Sequence, residues 1–344
     1  MVTQTPPRRL NRYTTFEVAY LIVGIPLYVG YQQWKQGKLC VAAMLWIAAA
    51  LHIYAMEQTT MDPPNSAYYF IRDGGNNNAD RERRPTLVCL GDSITHGRCS
   101  CNWVSNTLPS RLKRQNQPIE IVNNAQNSIT TYTILQERVD WTLACEPEFC
   151  VVLIGTNDAR ALVDPPWQWM ARLCWGLPGP ITEASIEANL RGIVEKLLKK
   201  RDLKVAICTI PPLGEDLTTC WNRDAAEKVN AIIRKVVGET KCDDERVALL
   251  DLNQALESEI RQSSSLSSSG RSSMAMFWAH VPWQAYGRHI FGLEWNTMSN
   301  WLGNTVLTDA IHLNDTGGDV LSGLVADWLA LHQQGQAVKG TRRR

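Results

Sequence analysis

Net charge is the first thing this 344-residue chain lacks. Lys and Arg total 35 and Asp and Glu 34, for a formal charge of +1. A nucleic-acid-binding domain usually carries a strong basic excess, so that class of partner is set aside. The short basic run Lys199-Lys200-Arg201 reads as the solvated end of a helix. Metal-type cysteine pairing is missing too. Ten cysteines are scattered along the chain; Cys99 and Cys101 form a C-x-C, but no second pair follows at finger-like spacing. Cys89, Cys150 and Cys208 fall in apolar runs, where a free thiol behaves as a small hydrophobe. Most of the ten read as reduced thiols, which favours a reducing compartment. No small-x-small cleavage site follows the first apolar run, which argues against a removed signal peptide. Histidine is scarce, with six in the chain, and that shortens any search for a catalytic base.

What is present begins with two apolar runs. Residues 18–31, VAYLIVGIPLYVGY, and residues 39–56, LCVAAMLWIAAALHIYAM, are joined by the polar link QQWKQGK. The second approaches the ~20 residues that span a bilayer; the first is shorter and carries Pro26. Together they predict a helical membrane hairpin over 1–57 with lipid contact. The alternative is a helix pair buried on a soluble domain. Arg8, Arg9 and Arg12 before the first run, and Arg72, Arg81, Arg83 and Arg84 after the second, outnumber Lys35 and Lys38 in the link. That asymmetry places the outer flanks, and with them the catalytic domain, on the cytoplasmic side.

Residues 58–85 read as a linker, with Pro63-Pro64 and the polar stretch DGGNNN at 73–78. The pattern then becomes an alternation. Buried-strand runs at 86–91, 119–125, 149–155, 204–210 and 247–252 are separated by helix-like segments near 102–115, 131–144, 183–200 and 219–238, with a last one at 315–332. This order predicts an α/β fold with a five-stranded parallel sheet covered on both faces. In such sheets ligands bind beyond the carboxyl ends of the strands. Ser93, Asn123, Asn157 and Pro211 all follow strand ends, so they should converge on one edge. Two insertions interrupt the alternation. Residues 164–180 hold Trp167, Trp169 and Trp175; residues 262–301 open with QSSSLSSSGRSS and continue with seven aromatics from Phe277 to Trp301. They could wall an acyl pocket, lie at a membrane interface or pack as core. A basic tail is expected at 334–344.

A serine hydroxyl is a weak nucleophile that needs a base, and an imidazole needs an acid to hold its tautomer. Ser93, in LVCLGDSITHG, sits where a strand turns into a helix. His52 lies in an apolar run, His96 shares the serine's own turn, and His280 and His289 have no nearby carboxylate. His312 has Asp309 three residues before it, in TDAIHLND. Such a turn can present a carboxylate to Nδ1 and leave Nε2 for Ser93. In LIGTNDA, the Asn157 amide follows a strand and a glycine, and can stabilise an oxyanion or merely cap a helix.

Four stretches in order resemble the blocks of the SGNH, or GDSL-type, hydrolases: GDSIT at 91–95, GTND at 155–158, TIPPLGE at 209–215 and DAIHLND at 309–315. The resemblance covers about 86–333 and leaves the hairpin and the aromatic insertions outside. It implies a flavodoxin-like three-layer fold. It also implies that Ser93 is the nucleophile, His312 the base and then acid, and Asp309 its orienting partner. The backbone N–H of Ser93 and the side chain of Asn157 would donate to the oxyanion. A glycine normally supplies a third N–H in the second block; here that block is IVNNAQNSIT, and the glycine position falls on Ser128. The N–H survives the substitution, but a conformation that serine disfavours would distort the hole.

These readings together describe a membrane-tethered serine esterase that needs no metal or organic cofactor and acts on lipid or lysophospholipid-like acyl esters. A carbohydrate O-acetyl esterase and an acyltransferase are the enzymatic alternatives. A membrane-anchored binding protein with a decayed site is the non-enzymatic one. Substrate-binding residues and oligomeric state are not legible at this level.

Overall fold

The structure, a computed structural model, describes residues 26–75, 84–263 and 277–341. Five strands form one sheet: β1 (Thr86–Gly91), β2 (Glu120–Ala125), β3 (Phe149–Leu153), β4 (Lys204–Cys208) and β5 (Val247–Leu250). The strand order is β2-β1-β3-β4-β5 and every pairing is parallel. Every residue of β1 and β3 is buried, as expected of strands covered on both faces. The helices Glu183–Leu198 and Glu227–Asp243 pack together on one face, while Leu108–Arg114, Leu252–Gln262 and Asp315–Thr341 pack on the other. The result is the expected three-layer α/β architecture. The order reverses between β1 and β3, so the crevice at their carboxyl ends is the place where this topology builds a site.

Gly91 makes that crevice possible. It stands opposite Ala125 of β2 and Leu153 of β3. A Cβ there would come within 2.5 Å of the Leu153 carbonyl oxygen and 2.4 Å of Thr95 Oγ1. Any larger residue would force the nucleophile turn away from the sheet.

Of the expected N-terminal pair, one apolar helix is seen in full. Helix α1 (Leu39–Thr60) is, among the described residues, the one helix long and apolar enough to cross a membrane. At ~1.5 Å per residue its 22 residues reach about 33 Å. Only a narrow stripe of it is buried, through Ala42, Ala49, His52, Ala55 and Thr59; Leu39, Met44, Ile47 and Tyr54 are exposed. Residues 26–35 are also helical, but 18–25 of the first apolar run lie outside the described residues, so a second span is not established.

The stretch expected to be a linker is folded over its first part. Helix α2 (Ala67–Arg72) lays Ala67 and Phe70 against Val88, Val122 and Trp141. Asn65 accepts the Asn123 N–H at 2.8 Å, which ties the segment to the outer strand β2. Pro63-Pro64 suggested a breaker, but here it positions a short helix that covers exposed sheet. The last helix also differs: it runs to Thr341, through most of the stretch expected to be a tail.

Phe70→Ala should therefore cost about 3 kcal/mol of stability, as for other buried aromatic truncations. Thermal unfolding in detergent, compared with the native protein, checks this. A melting temperature within error of native would mean that α2 is only laid on the surface.

Candidate active site

Three adjacent strands deliver three of the expected residues to one edge. Ser93 follows β1, Ser128 follows β2, and Asn157 follows β3, so the serine's strand is flanked by those that lead to Ser128 and Asn157. Ser93 opens a single helical turn, α3 (Ser93–His96), whose N-cap is Asp92; Asp92 Oδ1 accepts the Ile94 N–H at 3.0 Å. The serine therefore both begins a helix and faces the site. Asn123 locks this turn to β2, donating from Nδ2 to the Thr95 carbonyl at 2.9 Å.

The fourth and fifth residues arrive from a loop before the last helix. His312 Nε2 lies 2.9 Å from Ser93 Oγ, and His312 Nδ1 lies 2.7 Å from Asp309 Oδ2. Asp309 Oδ1 accepts the N–H groups of Ile311 at 2.6 Å and His312 at 2.7 Å. The D-x-x-H turn thus shapes itself around its own carboxylate. Ser93, Asp309 and His312 are all buried.

Two anchors of this loop were not visible in the sequence. Glu215, wholly buried, accepts the N–H groups of Thr305 and Val306 at 2.7 Å and Leu307 at 2.8 Å. Gly214 donates its N–H to the Ala310 carbonyl at 2.7 Å. Both belong to the TIPPLGE block after β4, whose resemblance was the available signal. Gln284, from the second aromatic insertion, donates to the Thr308 carbonyl.

Electrostatics favour a proton relay. Burial disfavours a charged imidazole, but the charge and hydrogen bond of Asp309, with Asp92 further off, outweigh it and raise the His312 pKa above 6.5. Burial would likewise raise Asp309, yet His312 and two backbone N–H groups hold it below the ordinary carboxylate value. Asp92 is pushed up to about 7, chiefly by burial. His96, the other histidine near the serine, is pushed down to about 3 by burial and by the charges of Arg98 and Arg138. It is too weak a base to serve.

The oxyanion side is braced from both flanks. Asn157 Nδ2 donates to the Ile129 carbonyl at 2.9 Å, which joins the loop after β3 to the loop after β2. Trp167 Nε1 donates to the Asn157 carbonyl at 3.1 Å, so one tryptophan of the first insertion supports the amide. Trp169 of the same insertion is exposed. Asp158 accepts both the N–H and the hydroxyl of Thr131 and fixes the far end of the second loop. Ser128 has φ of +63°, the left-handed region that its position in the second block put in question. Its backbone keeps the turn a glycine would make, at a cost of roughly 1–2 kcal/mol.

A small cavity, open at its mouth, lies against Asp309 and His312, with Ser93 outside its lining. Thr59, Arg98, Cys99, Gln284 and Trp295 line it, with Val281 and Ala285. Burial, and then the Asp309 charge, push Cys99 up to about 12. Thr59 is the penultimate residue of α1, and its carbonyl accepts from Asn127 Nδ2 at 2.7 Å. The apolar helix therefore ends in the wall of the site, next to Ser128. Helix α1 is also joined to the second insertion, through His52 Nδ1 and the Tyr286 hydroxyl at 2.6 Å. Among the described residues no group of three or more His, Cys, Asp or Glu side chains could hold a metal ion.

The family described as GDSL-like Lipase/Acylhydrolase matches residues 89–320. No curated protein matches the chain. Among solved structures, Axe2, an acetylxylan esterase from Geobacillus stearothermophilus, is similar at 15% identity and a TM-score of 0.48, over 70% of this chain and 92% of that one. The acetyl xylan esterase AlAXEase is similar at 18% identity and 0.47, over 71% and 98%. LAE5, an alpha/beta hydrolase from the metagenome of Lake Arreo, Spain, is similar at 15% identity and 0.48, over 70% and 94%.

Two outcomes follow from this geometry. Ser128→Gly should raise the free energy of unfolding by about 0.5–1 kcal/mol, because relief of left-handed strain exceeds the added freedom of the unfolded chain. A denaturant titration that shows a loss would mean the hydroxyl holds the turn. The second outcome concerns pH. His312 must be neutral to accept a proton, so kcat/KM should climb with pH through a midpoint above 6.5. Asp309→Asn removes the charge that raises it, so the midpoint should move down while the plateau falls. An unchanged midpoint would remove Asp309 as the source.

Proposed function

The chain belongs to the GDSL-like lipase/acylhydrolase family and is an ester hydrolase; we propose that it forms an acyl-enzyme on Ser93 and takes esters of short acyl groups, carbohydrate O-acetyl esters among them. The observation that carries the mechanism is the continuous run of hydrogen bonds from Ser93 Oγ through the His312 ring to Asp309. In this reading Nε2 accepts the Ser93 proton as Oγ attacks the carbonyl carbon. The imidazolium so formed is stabilised by Asp309, and it returns the proton to the departing alcohol oxygen. Water then repeats the sequence on the acyl-enzyme and releases the acid. The N–H groups of Ser93 and Ser128 and the amide of Asn157 stand at the strand ends where the carbonyl oxygen gains charge.

The short-acyl preference is supported by the cavity. Beside the buried Ser93 and His312 it leaves little open space for a long acyl chain. A second reading, a lipid or lysophospholipid ester, is favoured by one observation: Thr59, in the last turn of α1, lines the cavity. With α1 in a bilayer, the site would sit beside the membrane surface, and the exposed Trp283 and Trp301 would suit that interface.

Ser93→Ala and His312→Ala should each lower kcat by about 10⁴-fold or more, and the double variant should be little worse, as expected of groups acting as a unit. Asn157→Ala should lower kcat by about 10²–10³-fold with a smaller change in KM. A p-nitrophenyl ester series on the full-length protein in detergent should peak at the acetyl or propionyl ester. A rate that climbs through octanoyl would select the lipid reading, and full turnover in Ser93→Ala would overturn the mechanism.

A further inference from the structure

One cation in the site is left over by this mechanism. Arg98 lines the same cavity as His312 and Asp309. It follows α3 at the left-handed turn of Gly97, five residues after Ser93. Its Nη2 donates to a backbone carbonyl, that of Asp62, at 3.2 Å. Its Nε is shielded from solvent and has no hydrogen-bond partner. Among the described residues no carboxylate lies within ion-pairing distance of the guanidinium. Asp309, across the cavity, already serves His312 and two backbone N–H groups.

A guanidinium is a planar array of five donors that fits a phosphate or carboxylate in a two-point contact. Arg98 is half-buried, and shielding even part of a cation from water without a counter-charge is unfavourable. Three other arginines have carboxylate partners: Arg160 pairs with Asp164, Arg234 with Asp251 and Arg246 with Asp244. The Arg98 charge is felt locally, since it helps to hold both His96 and His289 in their neutral forms. Neither imidazole can then act as a competing cation.

We propose that Arg98 is an anion-recognising residue of the cavity that Asp309 and His312 line, and that the preferred substrate is an acyl ester bearing a phosphate or similar oxyanion. This rests on the reading of Ser93 as the nucleophile. The anion completes the charge pairing that the fold leaves open, and it orients the ester between His312 and Ser93. It belongs either to the substrate itself or to a lipid headgroup beside the end of α1.

The test compares two soluble esters that differ only in the anion, 1-acetylglycerol and 1-acetylglycerol 3-phosphate. The full-length protein is held in phosphatidylcholine nanodiscs. The native protein should prefer the phosphate ester by about 10–100-fold in kcat/KM, the effect of one charge-assisted contact, and the difference should lie mainly in KM. Arg98→Gln should bring that ratio close to one, and Arg98→Lys should keep part of it. Acetylglycerol hydrolysis is then repeated in nanodiscs that also contain phosphatidate. Stimulation of the native protein but not of Arg98→Gln assigns the anion to a headgroup and supports the proposal by its second source. The proposal is overturned if the native protein shows neither a phosphate preference nor a phosphatidate response. It is equally overturned if Arg98→Gln slows both esters by the same factor, which is what a packing role through Asp62 would produce. Fluorophosphonate labelling of Ser93 runs alongside. A native protein that neither labels nor turns over either ester loses the acyl-enzyme reading itself, and that failure is distinct from an active enzyme indifferent to Arg98.

Discussion

The Asp309 carboxylate is wholly buried, and a buried carboxylate is tolerated only when its lone pairs are occupied. Two backbone N–H groups and one imidazole nitrogen fill them here. The same three contacts bend the chain into the turn that aims His312 at Ser93. Charge compensation and geometry are therefore one requirement. Glu215 repeats the device one step outward, because its carboxylate gathers three consecutive N–H groups of the same loop. A loop without regular structure is held rigid by two acids, each satisfied almost entirely by backbone.

The other half of the site depends on close approach of backbone. Gly91 lets β1 turn directly beneath Leu153, and Asn123, Asn157 and Asp158 then stitch the loops after β2 and β3 to that turn. Ser128 accepts a left-handed conformation because these bonds determine its neighbours on both sides. The α1 helix joins the network at its last turn, where the Thr59 carbonyl receives Asn127 next to Ser128. A segment that composition alone assigns to a bilayer is thus bonded to the loop that carries Ser128.

Much of this was legible in the chain. The five strands lie within a few residues of their apolar runs, because strands buried on both faces have no alternative pattern to follow. Ser93, Asp309 and His312 were legible because few histidines compete and one has an acid three residues away. Asn157 was legible from its place after a strand. What escaped was long-range. Helix α2 is short and preceded by prolines, and its partners Val88 and Trp141 are distant in the chain. Glu215 reaches residues about 90 positions further on, a separation no local pattern encodes. The conformation of Ser128 could be questioned from the missing glycine, but its sign required the backbone.

The thiol of Cys99 gives the cavity a chemical asymmetry. It lines the same cavity as His312, yet burial and then the Asp309 charge push its pKa up to about 12, so almost no thiolate forms at neutral pH. Maleimides and haloacetamides act on thiolates and will find little to attack there, although a sulfur is within the pocket. Electrophiles that follow the proton relay to an activated hydroxyl meet a different partner. The Asp309 carboxylate acts twice here, adding to burial in keeping that sulfur protonated and raising the basicity of His312.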